Sequence, residues 1–265
     1  MKTWVVSLIG AFWLAFCTVP GNAQDVAGFS AADIAETFKV LRLDGNAVRW
    51  SKPADGGVIV LSYRVLTQTQ AFANARNCRR MTSPDALLEA SAVPSASFHR
   101  ELAAAFAMWE QAAGLTFREA SEGASADILI GAQVDPEGWA FADVFYDPAA
   151  AQAIKPISQA LICLNPTRRW KVGFDGDLKA YDLRYALAHE IGHAIGLDHP
   201  SGAGQIMGYR YEERFRELQA GDVRGAVILY GNRNPQAVAT APAPADTKRA
   251  LAKSLGSRAF DSGSR

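Results

Sequence analysis

In "HEIGHAIGLDH", residues 189–199, fall three of the chain's four histidines, with Glu190 directly after the first. Residues four apart on a helix leave the same face, so His189 and His193 can aim both imidazoles at one point. Neutral imidazole is a good zinc ligand, and two such rings fix two corners of a tetrahedron. The helix cannot supply the third corner. Gly196 tolerates positive φ, so the chain can stop and turn there, and His199 can swing back to the metal. Three protein ligands leave one position open to water, the arrangement of a catalytic zinc rather than a structural one. Glu190 cannot easily join the ligand set. It can face the water instead, take its proton during attack on a carbonyl and later hand it to the leaving amine. The bland alternative is a helix that happens to carry histidines. It must account for three histidines, a glutamate and a glycine at fixed spacing in a chain that has one other histidine, His99.

The helix bearing the first two histidines is expected over Leu183–Ile195, capped by Asp182, with Leu183, Leu187, Ile191 and Ala194/Ile195 turned to the core. A longer helix is expected over Ser97–Ala113, with Phe98, Leu102, Phe106, Trp109 and Ala113 on one face and His99 among its surface residues. A short helix starts at Ser83-Pro84. A third covers Ala220–Tyr230, with Val223, Ala226 and Val227 inward. Strands are expected at "VIVLSYRVL" (58–66), "LTFREA" (115–120), "ADILIGAQ" (126–133), "WAFADVFY" (139–146) and "ALICLN" (160–165), each bounded by Gly, Pro or Asp. The order describes one α+β domain over 58–231, after a lead-in at 24–57 and before a disordered Ala/Pro-containing tail at 232–265.

Equal numbers of basic and acidic side chains, 27 each, and no long basic run give no sign of a nucleic-acid partner. Residues 1–23 read as a cleaved secretory signal: Lys2, an apolar run from Trp4 to Val19, then small residues before Gln24. That implies a secreted or periplasmic protein with no stable membrane insertion after cleavage. A lipid anchor at Cys17 is disfavoured by the bulky Phe16. With Cys17 removed, Cys78 and Cys163 remain as an even pair in an oxidising compartment. A disulfide is favoured over two buried thiols that never meet, although sequence alone does not give their distance.

The histidine cluster resembles H-E-x-x-H-x-x-G-x-x-H, the signature of the metzincin zinc metallopeptidases. "QIMGY" resembles that family's Met-turn, which implies Met207 as an apolar floor beneath the metal rather than a ligand. Within the family the chain is most similar to matrixins of bacterial type, through "GLDHP", "LQAGDVRGAVILYG", "VRWSKPADGGVIVLSYRV", "AFAMWEQAAGLTFREA" and "ADILIG". The resemblance covers roughly residues 47–231. It implies a twisted mixed β-sheet with long helices and a Met-turn below the zinc. It also implies a peptide substrate lying along an edge strand near Gly138–Phe141, with Gly138 and Trp139 contacting it, and Tyr185 setting the depth of the pocket for the residue after the cut. For Tyr185, core packing is the competing reading.

Three departures from the matrixin pattern stand out. Only "VDPEG" occupies the place of the loop that usually holds a second zinc and calcium, and Cys163 stands where a further strand histidine is usual. One catalytic zinc and no structural zinc are therefore expected, and calcium is left open. No propeptide-type cysteine motif precedes the domain. Tyr209, two residues after Met207, resembles the astacin and serralysin tyrosine that stabilises the oxyanion, with a packed aromatic as the alternative. The expected activity is that of a monomeric, secreted zinc endopeptidase acting on protein or peptide substrates. The rivals are a non-catalytic metal-stabilised adhesion or binding protein and an amidase acting on cell-wall peptides.

Overall fold

The computed structural model describes residues 37–53 and 57–233. The expected signal segment, residues 24–36 and 54–56 of the lead-in, and nearly all of the tail lie outside the described residues. Short strands come first: β1 (Lys39–Val40), β2 (Arg42–Leu43) and β3 (Asn46–Arg49), then β4 (Ile59–Val65), β5 (Gln70–Ala71) and β6 (Arg80–Thr82). Helices α1 (Asp85–Ala90) and α2 (Ser95–Ala112) precede β7 (Leu115–Glu119), β8 (Ile128–Gln133), β9 (Ala140–Tyr146), β10 (Lys155–Leu164), β11 (Arg169–Lys171) and β12 (Ala180–Asp182). Helix α3 (Leu183–Ala194), β13 (Leu197–Asp198) and α4 (Ala220–Tyr230) complete the order. Among the described residues no helix is long and apolar enough to cross a membrane.

The central sheet is mixed. β4 pairs in parallel with β7 and β8, and β8 in parallel with β10. β10 takes β9 antiparallel on its other side, and β9 has no further strand partner among the described residues. The edge strand expected beside the histidine cluster is therefore β9. Side chains alternate across the sheet, as the pleat requires. Ile128, Ile130, Ala160, Ile162 and Leu164 join the main core under the helices, while Leu129, Leu161 and Cys163 join a second cluster on the opposite face. Both faces of the sheet are covered, which is why every residue of β8 is buried.

The cover on the second face is the segment between β4 and α1. It contributes Leu66, Ala75, Cys78 and Met81, with Phe72 packed beside them. It is joined to β10 by a Cys78–Cys163 disulfide. On β9, Asp143 accepts hydrogen bonds from the backbone N–H groups of Asn77 and Cys78, both at 2.8 Å, and from the Asn77 side-chain amide at 2.9 Å.

Helix α3 runs through the core, with Leu183, Leu187, Ile191 and Ala194 fully buried. Its last carbonyls would be orphaned in an apolar interior. Trp50 Nε1 donates to Ala194 O at 2.9 Å, the Tyr230 hydroxyl donates to Ile195 O, and Leu41 N donates to Gly196 O at 2.8 Å. Trp109 Nε1 of α2 adds a bond to Ala188 O at 2.9 Å.

Three expectations need correcting. First, the described part of the 24–57 segment is not a mere lead-in, because β1 pairs with β13 and β3 pairs with β10. Second, the strand expected at 160–165 begins at Lys155, since Pro156 lies near its start, where a missing N–H is tolerated. Third, Ala226 is inward as expected, but it shares the buried face of α4 with Gly221, Asp222, Gly225, Leu229 and Tyr230, while Val223 and Val227 are half-buried. Glycines face inward because the neighbours come very close: a Cβ at Gly225 would lie 2.9 Å from Leu197 Cδ2 and 3.2 Å from Phe38 Cβ.

Gly196 adopts φ +96°, and a Cβ there would lie 2.5 Å from the Val48 carbonyl oxygen. Gly196→Ala is expected to lower unfolding free energy by about 1–3 kcal/mol, read from urea midpoints, because it meets both backbone strain and a backbone atom that cannot move aside.

Candidate metal and catalytic site

The site is built on α3 and the chain that leaves it. Asp182 caps the helix by accepting from Tyr185 N at 3.0 Å. It is fully buried and carries further partners, Gly173 N and the guanidinium of Arg216. Arg216 also donates to Glu101 of α2 at 2.9 Å, and Glu101 accepts from Arg184 at 2.7 Å. This charge network ties the N-terminus of α3 to α2 and to the loop before α4.

His189 and His193 leave one face of α3, and the turn at Gly196 returns His199 to them. The three Nε2 atoms stand 3.0, 3.2 and 3.2 Å apart. Among the described residues these histidines form the one group of side chains close enough to share a metal ion. His189 Nδ1 lies 2.7 Å from Ile206 O and His193 Nδ1 2.8 Å from Leu197 O. A carbonyl can only accept, so each Nδ1 carries the ring proton and each Nε2 keeps its lone pair. Burial holds all three imidazoles below the usual histidine range, His189 well below and His193 at about 4. Neutral rings with lone pairs converging at this spacing suit a cation. Tetrahedral corners about 2.0–2.1 Å from a zinc lie about 3.3 Å apart.

The carbonyls that orient the rings are themselves held. Buried Asp222 accepts from Ile206 N at 2.9 Å, Met207 N at 3.0 Å and Gln219 N at 2.8 Å. Burial raises its carboxyl above the usual range, and these three N–H groups offset only part of that rise. Leu197 pairs with Val40 across β1 and β13. Beside it Lys39 pairs with Asp198 at 2.6 Å, and Asp198 accepts from His199 N at 2.8 Å. Met207 is buried, with its sulfur pressed on Gly192, where a Cβ would overlap it.

Glu190 is 6% exposed and its Oε2 has no hydrogen-bond partner among the described residues. Burial pushes its carboxyl up to about 8. An unpartnered buried carboxylate is costly unless a ligand or water completes it. Glu190 and the three histidines open on a cleft of about 780 Å³ that runs along β9.

Tyr185 both lines this cleft and packs, 3% exposed, against Tyr211 and Phe215, with its hydroxyl 3.4 Å from Arg210 O. Trp139 stacks on Tyr181 at 3.6 Å, with Arg168 over its ring at 5.1 Å. The carbonyl of Gly138 is occupied by Asn165 Nδ2 at 2.9 Å and Arg168 Nε at 3.1 Å, so that oxygen is already committed within the fold. Tyr209 is 83% exposed and meets His199 edge-on at 5.2 Å. His99 lies at the surface, 4.0 Å from Glu119.

Asp222 escaped the sequence reading, although an acidic residue three after Gln219 has capping-box spacing. Leu41, Leu43, Asn74, Arg76 and Asn77 also line the cleft, and no local pattern announces them. Asp222→Ala is expected to cost about 2–4 kcal/mol in chemical denaturation, because it strands two buried N–H groups and a third that is part-buried. Asp222→Asn, which restores one acceptor, should cost less.

A family model described as matrixin matches residues 85–231, more than half of the chain. Stromelysin-3 of Mus musculus is 31% identical over 153 residues, covering 54% of this chain and 28% of that protein. Matrix metalloproteinase-19 of Mus musculus is 32% identical over 135 residues, covering 50% and 25%. Metalloendoproteinase 1-MMP of Arabidopsis thaliana is 32% identical over 136 residues, covering 48% and 36%. The chain spans about a quarter to a third of the length of these relatives.

Proposed function

The chain belongs to the matrixin family, and from that premise we propose that it is an exported, monomeric zinc endopeptidase whose zinc is held by His189, His193 and His199. The observation that carries this reading is the convergence of three Nε2 atoms beside the unpartnered carboxyl oxygen of Glu190 on the wall of one cleft. Zinc bound there would supply Lewis acidity toward water and toward the scissile carbonyl.

The chain's own residues do the rest. The free edge of β9 can pair with an extended peptide, which fixes the scissile bond over the histidines. Glu190 Oε2 accepts the proton of the attacking water and returns it to the leaving amine nitrogen, so its lack of a partner within the fold is a requirement of the role. A carboxyl raised by burial is suited to both halves of that transfer. Met207 and Gly192 form the apolar floor that keeps the α3 face in place. The exposed hydroxyl of Tyr209 beside His199 is assigned to the developing oxyanion. Tyr185, Tyr181 and Tyr211 wall the pocket for the residue after the cut.

The mature protein is expected to hold one zinc per chain. Glu190→Ala should keep that zinc and lose about 100- to 10,000-fold in peptide turnover, whereas His193→Ala should lose the metal. Metal analysis and peptide hydrolysis on the same preparations check both. Wild-type turnover in Glu190→Ala would overturn the mechanism. Full zinc content in His193→Ala would overturn the ligand set.

Tyr185 is expected to shorten the pocket, giving a preference for medium aliphatic residues such as leucine after the scissile bond. Tyr185→Ala should admit larger side chains with a gain worth about 1–3 kcal/mol, since apolar pockets discriminate weakly. Cleavage profiling of both proteins on one peptide library measures this. An unchanged profile would return Tyr185 to a packing role.

A further inference from the structure

The lining of the cleft includes Asn74, Arg76 and Asn77 from the segment that covers the back of the sheet. Arg76 is the only lysine or arginine among the residues lining the cleft. It is exposed and makes no hydrogen bond or ion pair with any described residue. Two of the acidic groups lining the cleft are committed elsewhere. Asp143 has both oxygens taken by Asn77 and Cys78, and Asp198 is paired with Lys39.

The backbone that presents Arg76 is immobilised on both sides. Ala75 is buried and donates to Phe72 O at 3.0 Å, and Phe72 N donates to Arg79 O at 2.8 Å. Asn77 and Cys78 are held by Asp143, and Cys78 is covalently tied to β10. A cation with a fixed base and no partner inside the fold is ready for a partner outside it, because the ordering cost of its backbone has already been met. Its guanidinium matches a carboxylate in shape and charge.

The direction of the substrate follows from β9. An added strand pairs most favourably in the antiparallel sense. The aromatic pocket of Tyr181 and Tyr185 lies by Trp139, just before β9, whereas Asp143, which holds the Arg76 segment, lies in its middle. In an antiparallel peptide, the part that passes Arg76 therefore precedes the part that enters the pocket.

We propose that Arg76 is a specificity-determining residue that selects peptides carrying an aspartate or glutamate on the N-terminal side of the scissile bond. This rests on the peptidase reading above, so the test has a cleavage arm and a binding arm. Zinc-loaded mature protein, R76Q and R76E are assayed on one reference peptide in which Glu, Gln or Lys replaces each of the four residues before the cut. The wild-type protein should favour Glu over Gln at one of these positions by about 3–5-fold in kcat/KM, the size of a solvent-accessible ion pair. The preference should shrink at high salt. R76Q should abolish it and R76E should turn it toward Lys, each preference being read as a ratio to the all-neutral peptide on the same protein. No acidic preference at any position, or one that survives in R76E, overturns the proposal. If no peptide is cleaved, the peptidase reading fails, and fluorescence anisotropy of the same peptides bound to the same proteins still reads Arg76. Tighter binding of the Glu peptide that reverses in R76E supports the proposal, and equal affinities refute it.

Discussion

Three imidazole nitrogens crowded together, two of them with lone pairs facing one another, are an unfavourable arrangement for an isolated fold. The Nε2 atoms stand 3.0–3.2 Å apart, and between His189 and His193 no proton is available to bridge. Something must hold each ring in place, and for two of them it is a backbone carbonyl on Nδ1. Those carbonyls are in turn fixed from a distance. Ile206 is held by Asp222 from α4, and Leu197 by the pairing of β13 with β1. The network of Asp182, Arg216 and Glu101 anchors the start of the same helix. Much of the fold around α3 can be understood as the support this convergence requires, in line with the general rule that partners of the ligands set their tautomer and aim.

The same helix is buried on nearly every side, and that burial suits the proposed chemistry. It lowers the histidines' affinity for protons and raises that of Glu190. A cation would therefore meet neutral ligands, and a carboxylate beside it would be poised to exchange a proton. The two opposite shifts come from one cause, the removal of water from charged forms.

The second layer of the molecule works on the cleft rather than on the histidines. β9 must keep one edge free if a peptide is to pair with it, yet a lone edge strand is poorly constrained. Asp143 and the Cys78–Cys163 bridge clamp β9 and β10 from behind while leaving that edge open. The segment between β4 and α1 covers this face, and it also brings Arg76 to the rim.

What the sequence determined by itself was whatever depends on near neighbours. The spacing of His189 and His193 reports one helix face, Gly196 reports a turn, and Asp182 reports a cap, because each is governed by residues within about one helical turn. The long helix face from Phe98 to Trp109 and the strand alternation were legible for the same reason. Tertiary structure decided what depends on contacts across the chain. Asp222 lies some fifteen residues from the turn it holds, and β1 lies more than 150 residues from the strand it pairs with. Val223 and Val227 looked like the inward face of α4, but glycines took it because Phe38 and Leu197 leave no room for a side chain. Cysteine parity favoured a bridge, yet only the fold brings Cys78 to Cys163, because the distance between two residues far apart in sequence is set by packing that no local pattern encodes.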